Sequence, residues 1–458
     1  MNTRDISRRS FLKAAAAGCL AMPLTMCARA PRRRVIPPNS KLNHACIGVD
    51  GMGWGDLQNF KEHSGVRIVA LCDVDSDRLK KASGEVPDAR TYTDWREMFE
   101  KEGDRIDSVN VTVPDHSHYI IAMAAIARGL HVYCQKPLCH DVAEIRALTK
   151  AAKKKNVITQ LGTQQASSVN DRMAVRLLRE GAIGKIKRVY LCSNRPGAED
   201  YRLSGPRPAK GETPPASLNW DVWIGNAPMR PYAPGIYHPV LWRAWQDFGT
   251  GWSGDIGCHI FDAVWKGLDL KAPVSVIAEV QESWKDSPER RADCWPQSNH
   301  ITWVFPGNKM TAGSELVLEW FDGEYYPPES IRSLYSIGEY PAESAMVVGE
   351  EGALLIPHGG SSPFLLPREK FGKSPFPKLP PRNHYHHFVD ACRGGEMCES
   401  HFAQTGPMAE AIILGTVAIR MPDQKLEWNS SKMRIPNCRE AERFLSRRYR
   451  EGWKAAEV

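Results

Sequence analysis

A short apolar run at residues 45–49 leads straight into Gly48-Val49-Asp50-Gly51-Met52-Gly53-Trp54-Gly55. This junction constrains the fold more than any other feature of the chain. A strand, a glycine-rich turn and a helix in immediate succession let a helix N-terminus approach a diphosphate, which amide donors and the helix dipole then hold. Asp73 ends the next apolar run, 20 residues after Gly53. An acid so placed can bind an adenosine ribose diol and repel a 2′-phosphate, which favours NAD over NADP. It can equally cap the following helix, as can Asp75. Against the Gly-x-Gly-x-x-Gly pattern, Gly48 and Gly53 fit, but Asp50 takes the middle glycine's place. It brings bulk and negative charge to the diphosphate's side of the loop, and Gly51 supplies the freedom lost there.

Short apolar runs at 67–72, 108–113, 131–134 and 157–161 alternate with helical stretches at 56–62, 77–82, 94–101, 117–128 and 142–155. Such alternation predicts a parallel sheet wrapped by helices. With 458 residues the chain exceeds one ordinary core, so two domains are expected. Its 42% hydrophobic and 25% charged residues are globular in composition. The formal charge is +7, of which residues 1–26 supply +3. No interleaving of basic and aromatic residues suggests a nucleic-acid surface. The 12 cysteines form no CxxC pair, and a two-domain core does not require a disulfide framework.

The N-terminus has the form of an address. Ser7-Arg8-Arg9-Ser10-Phe11-Leu12-Lys13 resembles a twin-arginine export signal and precedes an apolar run at 14–26, short for a permanent span. Leu24-Thr25-Met26-Cys27 resembles a lipoprotein cleavage box, with Met26 where a small residue is usual, so Cys27 is a candidate for lipidation and Cys19 a weaker one. Residues 1–30 are therefore expected to be a leader and 31–42 an exposed linker. The twin-arginine resemblance implies export of a folded protein to the periplasm or cell envelope, with its cofactor already loaded.

Two further markers follow strands of the first half: Thr112-Val113-Pro114-Asp115-His116-Ser117-His118 and Tyr133-Cys134-Gln135-Lys136-Pro137-Leu138. A third lies in the second half, at Gly254-Asp255-Ile256-Gly257-Cys258-His259-Ile260-Phe261-Asp262. Asp255, His259 and Asp262 recur at i, i+4 and i+7 and share one helix face. They can supply metal ligands at that spacing, although Cys258 lies about 100° away around the helix and fits poorly; no metal is expected. Together the markers resemble the glucose–fructose oxidoreductase/inositol dehydrogenase (Gfo/Idh/MocA) family over roughly residues 43–421. Here Gln135 replaces the family's glutamate, which keeps hydrogen-bonding capacity and removes a charge.

The resemblance implies an α/β protein: an N-terminal Rossmann domain at 43–165, and a C-terminal α+β domain at 166–458 with a large, mostly antiparallel sheet. Sheet strands are expected at 187–192, 274–280, 300–305, 316–320 and 345–348, one face covering the site and the other free for homo-oligomer contacts. The resemblance also implies NAD held by Gly48, Asp50, Gly51, Met52, Gly53, Asp73, Thr112, Pro114, His116, His118, Gln135, Lys136 and Gln164. His259 would exchange a proton with a substrate hydroxyl, oriented by Asp255, while Lys136 bonds the same oxygen. The aromatic density at Trp220, Trp223, Tyr232, Tyr237, Trp242 and Trp245 is either core, interface or a stacking surface for sugar rings. On the last reading Arg195, Tyr237, Trp242, Arg243 and Asp262 meet substrate. His384, His386 and His387 open a late helix ending near Arg393 and are expected to pack and cap.

The expected activity is reversible oxidation of a hydroxyl on a sugar, glycoside or polyol. Two rivals stay open: a glycosidase that uses bound NAD transiently, and a sugar-binding protein without enzymatic activity.

Overall fold

The computed structural model describes residues 36–37, 39–194, 205–359, 361–372, 376 and 378–458. The twin-arginine segment, Cys19, Cys27 and Arg195 lie outside the described residues. The first sheet contains β1 (Leu42–Ile47), β2 (Val66–Cys72), β3 (Arg90–Tyr92), β4 (Ser108–Val111), β5 (His131–Cys134) and β6 (Thr159–Leu161). Its order is β3-β2-β1-β4-β5-β6, every pairing parallel. The strand order reverses direction beside β1, which places a crevice at the carboxyl ends of β1 and β4. Helices Met52–Lys61, Ser76–Glu85, Trp95–Glu102, Asp115–Ala127 and Val142–Lys155 make the connections. Val142–Lys155 shows why the sequence marked its helices well. Asp141 caps it by accepting from the Glu144 amide at 3.0 Å, three lysines occupy its last turn, and Asn156 ends it in the left-handed region at φ 53°.

The second sheet contains β7 (Ile186–Ser193), β8 (Ser275–Val280), β9 (Asn299–Pro306), β10 (Glu315–Asp322), β11 (Glu343–Gly349), β12 (Ala353–Pro357), β13 (Phe364–Leu366) and β14 (Leu426–Glu427). Its order is β13-β12-β11-β7-β10-β9-β8-β14, with only β7 and β10 parallel. One face packs on helices Gly251–Gly267 and Phe402–Ile419. Phe402–Ile419 is long and apolar enough to cross a membrane by length and composition, yet 83% of its apolar window is buried. Trp303 donates to the Ala411 carbonyl at 2.8 Å, and helix and sheet share one core. Part of the opposite face lies under Tyr325, Ile331, Tyr335 and Tyr340.

Between β7 and Gly251–Gly267 the chain returns to the edge of the first sheet. The Asn219 amide donates to the Val74 carbonyl at 2.8 Å, and the Ser217 carbonyl accepts from the Ser76 amide at 2.9 Å. The aromatics of this segment then close on themselves: Trp220 stacks on Trp223 at 4.6 Å, and Tyr237, Trp245 and Phe248 surround buried Arg230. Arg230 is paired with Asp247 and Asp293, so its guanidinium charge is answered within the cluster. Ten cysteines among the described residues are buried free thiols.

Candidate active site

A cavity of about 700 Å³ runs from the glycine loop to Lys136 and Arg243. The first domain lines it with Gly48, Asp50, Gly51, Met52, Asp73, Arg78, Thr112, Pro114, Asp115, Gln135 and Lys136. The returning segment closes the other side with Trp223, His238, Val240, Trp242 and Arg243.

The loop's glycines do different work. A Cβ on Gly48 would fall on the Thr112 carbonyl, and one on Gly53 would fall on the Gly48 carbonyl, so these two allow close packing. Gly51 has φ 55° and nothing within 4 Å of an added Cβ. It begins helix Met52–Lys61 without a side-chain cap, and no acid stands in the first turn. Amide donors and open space at the same point fit a diphosphate. Asp50 lines the wall, but its carboxylate is ion-paired with Arg78 and lies 3.4 Å from Lys81 Nζ. The negative charge expected against the diphosphate is thus answered within the loop's own surroundings.

Asp73 accepts from the Val49 amide at 2.9 Å and the Asp75 amide at 3.0 Å. Burial pushes its carboxyl up, against these two hydrogen bonds. The cap of Ser76–Glu85 is Asp75, which accepts from the Asp77 amide at 3.1 Å and pairs with Arg78 at 3.2 Å. Asp73 therefore remains at the strand end with its carboxylate on the cavity.

At the inner end, Lys136 donates to Asp255 Oδ1 at 2.6 Å and to the Asp255 carbonyl at 3.1 Å, linking the two domains. Arg243 Nε lies 3.4 Å from the same carboxylate oxygen. Burial alone would raise the Asp255 carboxyl, but Lys136, Arg243 and His259 hold it well below the usual range. The Lys136–Pro137 peptide is cis. His259 stands one turn after Asp255 and is half-buried, its ring 5.0 Å from that of His358.

Asp115, which the sequence reading passed over between Pro114 and His116, joins this group. It is 1% exposed and accepts from Thr250 N and Oγ1 at 3.2 and 3.0 Å. Its other oxygen has no partner among the described residues, and the residue lines the cavity. Burial and the Asp255 charge push it up to about 7, against Arg243, Lys136 and Thr250. Its signal was available: it is the first residue of a helix that starts at the end of a strand. Arg78 was also missed, although an arginine just beyond the ribose acid invites notice; His358 has no local signal.

Several expected residues lie elsewhere. His116 is fully buried, its Nε2 on the Trp223 carbonyl at 3.0 Å and its ring beside Phe248. His118 sets its ring nitrogens against the carbonyls of Pro137 and Val113 at 2.7 and 2.8 Å, bracing the Lys136 turn rather than lining the cavity. Gln164 donates toward the Tyr133 and Tyr385 hydroxyls at 3.4 and 3.2 Å. Tyr237 belongs to the closed aromatic core, which leaves no free ring face for a sugar. Asp262 pairs with Lys266 at 2.7 Å inside the second domain, because a further helix turn carries it away from Lys136. Trp242 and Arg243 do line the cavity and stack at 4.2 Å. Of the late histidines, His384 bonds the Leu161 carbonyl and Ser167, while Asn383 supplies the helix cap.

This fold and loop define a nicotinamide-dinucleotide-binding protein. Residues 42–163 match the model described as "Oxidoreductase family, NAD-binding Rossmann fold", and residues 167–295 the one described as "Oxidoreductase family, C-terminal alpha/beta domain". The chain belongs to the Gfo/Idh/MocA family. It is 31% identical over 140 residues to a D-apiose dehydrogenase of Paraburkholderia graminis, covering 31% of this chain and 37% of that protein. Identity to a myo-inositol 2-dehydrogenase of Thermotoga maritima is 27%, covering 35% of this chain and 48% of the relative. A glycosyl hydrolase family 109 protein of a Shewanella species is 26% identical, with 39% and 44% covered. The matches thus span less than half the length of each of these relatives. A crystal structure of aldose-aldose oxidoreductase from Caulobacter crescentus, complexed with glycerol, shares the fold at TM-score 0.56 and 17% identity, covering 85% of this chain and all of that one.

Proposed function

We propose that this chain is an exported NAD-dependent oxidoreductase acting on a hydroxyl of a sugar, glycoside or polyol. The observation that carries this reading is the Lys136–Asp255 pair at 2.6 Å, buried where the cavity meets the second domain. When bound, NAD supplies a hydride acceptor. The Gly51 loop would bind its diphosphate, Asp73 its adenosine ribose, and Gln135 its nicotinamide ribose. Asp255 holds the Lys136 ammonium at one point, ready to bond the substrate oxygen as negative charge develops. His259 would take the hydroxyl proton.

The returning segment lines one side of this cavity, with Ser217 and Asn219 fastened to Ser76 and Val74 just past Asp73. Such anchoring supports a cofactor that stays bound between turnovers and travels with the folded protein through a twin-arginine route. The redox-neutral glycosidase is the second reading, favoured by that same anchoring and by the likeness to family 109 proteins. Denaturing the purified protein and weighing the released ligand tests retention; absence of NAD or NADH would overturn it. A glycoside and polyol screen then separates the readings: net NADH supports oxidation, and released aglycone without NADH supports hydrolysis. Replacing both Arg8 and Arg9 by lysine should hold precursor in the cytoplasm, and normal export of that variant would remove the localisation. Labelling with a lipid precursor, lost on Cys27→Ala, tests attachment at Cys27.

A further inference from the structure

Gln135 stands where the family pattern has a glutamate, and a buried carboxylate lies beside it. Its Nε2 donates to both carboxylate oxygens of Asp56 at 3.1 Å. Asp56, on the first turns of Met52–Lys61, is completely buried. It also accepts from the Thr112 hydroxyl at 2.6 Å and the Tyr385 hydroxyl at 2.8 Å. These three donors come from the end of β4, the end of β5 and the late helix His384–Cys392. Among the described residues, every hydrogen bond to this carboxylate comes from a neutral group. Burial pushes Asp56 up to about 6, while the three hydrogen bonds pull it down.

An amide has two unlike ends, and a carboxylate accepts only from its NH₂. Asp56 therefore fixes which way Gln135 points. With Nε2 held inward, Oε1 is turned to the Lys136 amide, 3.4 Å away, on a residue that lines the cavity. Gly162 leaves the space that Oε1 occupies, because a Cβ there would fall on Gln135 Oε1.

The geometry points to Asp56 as a positioning residue: its buried carboxylate locks the Gln135 amide so that a neutral glutamine presents to NAD the acceptor face a glutamate would present. A glutamate at 135 beside ionised Asp56 would bury two like charges within hydrogen-bond distance, which one proton would have to relieve. The charge has one place in this pair. Whether it sits on Asp56 or on residue 135 is set by the partner.

The inference rests on NAD binding and not on the identity of the substrate, so its test reads cofactor affinity and melting temperature without turnover. Asp56→Asn, Gln135→Glu and the double variant are stripped of ligand and titrated with NAD, following tryptophan fluorescence. Asp56→Asn is nearly isosteric but offers Gln135 an ambiguous partner, so NAD should bind about 10-fold more weakly. Gln135→Glu should also weaken binding and lower the melting temperature. The double variant returns the single charge, with the new amide at position 56 donating to the new carboxylate at position 135, and should regain affinity to within about threefold. Parent-like affinity in Asp56→Asn overturns the inference. So does a double variant whose losses are the product of the two single losses, the result expected of two independent structural residues. Should Gln135→Glu fail to fold, a folded double variant still reports the exchange, and the Asp56→Asn affinity decides the orientation.

Discussion

Both ends of the cavity set carboxylates against cations, in different surroundings. At the adenosine end, Asp50, Asp75, Arg78 and Lys81 form pairs in which Arg78 is 28% and Lys81 59% exposed. At the inner end, Lys136 and Asp255 are 14% and 6% exposed, and Asp115 is covered. Solvent and salt screen the first set, whose pairs are worth about 0 to 1 kcal/mol each. Breaking a buried pair typically costs about 3 to 5 kcal/mol, because the surviving charge is stranded. Similar residue types thus form screened pairs at the rim and a buried pair at the centre.

The largest effect that would break this comparison is loss of the proton acceptor. His259→Ala leaves the loop and Lys136 in place, so NAD should stay bound while single-turnover hydride transfer falls by on the order of 10² to 10⁴. Transfer at the parent rate with NAD bound would remove His259 from the chemistry. Lys136→Ala should fall comparably and also lower stability, since it takes from Asp255 its closest cation. An unaltered melting curve would mean that the buried pair is no more valuable than a surface one.

Asp115 sharpens the comparison through pH. Its folded carboxyl lies near 7, above the ordinary 3.8, so the native state keeps a proton that the unfolded chain has lost. Stability contributed by this group is present at acid pH and declines as pH rises from about 4 to about 7. Asp115→Asn should flatten that part of the stability–pH curve, measured by denaturant unfolding. Asp255→Asn should lower the Asp115 midpoint, because the charge that helps to raise it is gone. A midpoint that stays near 7 would assign the whole shift to burial.

The half of the site built on local pattern was the more legible in sequence. Period, glycines and caps located five strands of the first sheet, although β3, Arg90-Thr91-Tyr92 with two exposed residues, offers no apolar run to announce it. Lys136 and Asp255 were visible as motif residues, and the structure brings them together. His116, His118, Gln164, Tyr237 and Asp262 were harder, because whether a polar or aromatic side chain faces a cavity or a packed neighbour is decided by tertiary contacts. The tryptophans before Gly251–Gly267 show the difficulty well. Their density suits stacking on a ligand, but Trp220, Trp223 and Trp245 spend their faces on one another, on Tyr237 and Phe248, and around Arg230. Asp56 owes its significance to burial, which no spacing reveals.

The smallest expected effect belongs to the exposed end. On the proposed reading Asp73 would disfavour a 2′-phosphate, while Arg78, which could welcome one, is paired with Asp50 and Asp75. Asp50→Ala removes one of those partners and leaves the diphosphate loop's glycines unchanged. NADP affinity should rise about threefold at low salt with NAD affinity altered by less than about twofold, a gain the size of one exposed ion pair. Because Arg78 is partly exposed, the gain should shrink as ionic strength rises toward about 0.5 M, where the screening length is only about 4 Å. Asp73→Ala should shift selectivity further in the same direction, since it removes both the ribose acceptor and the repulsion, and should weaken NAD as well. Parallel NAD and NADP titrations at two salt concentrations measure both variants. A gain in Asp50→Ala that persists undiminished at high salt would place Arg78 in a desolvated setting and erase the contrast between the two ends of the cavity.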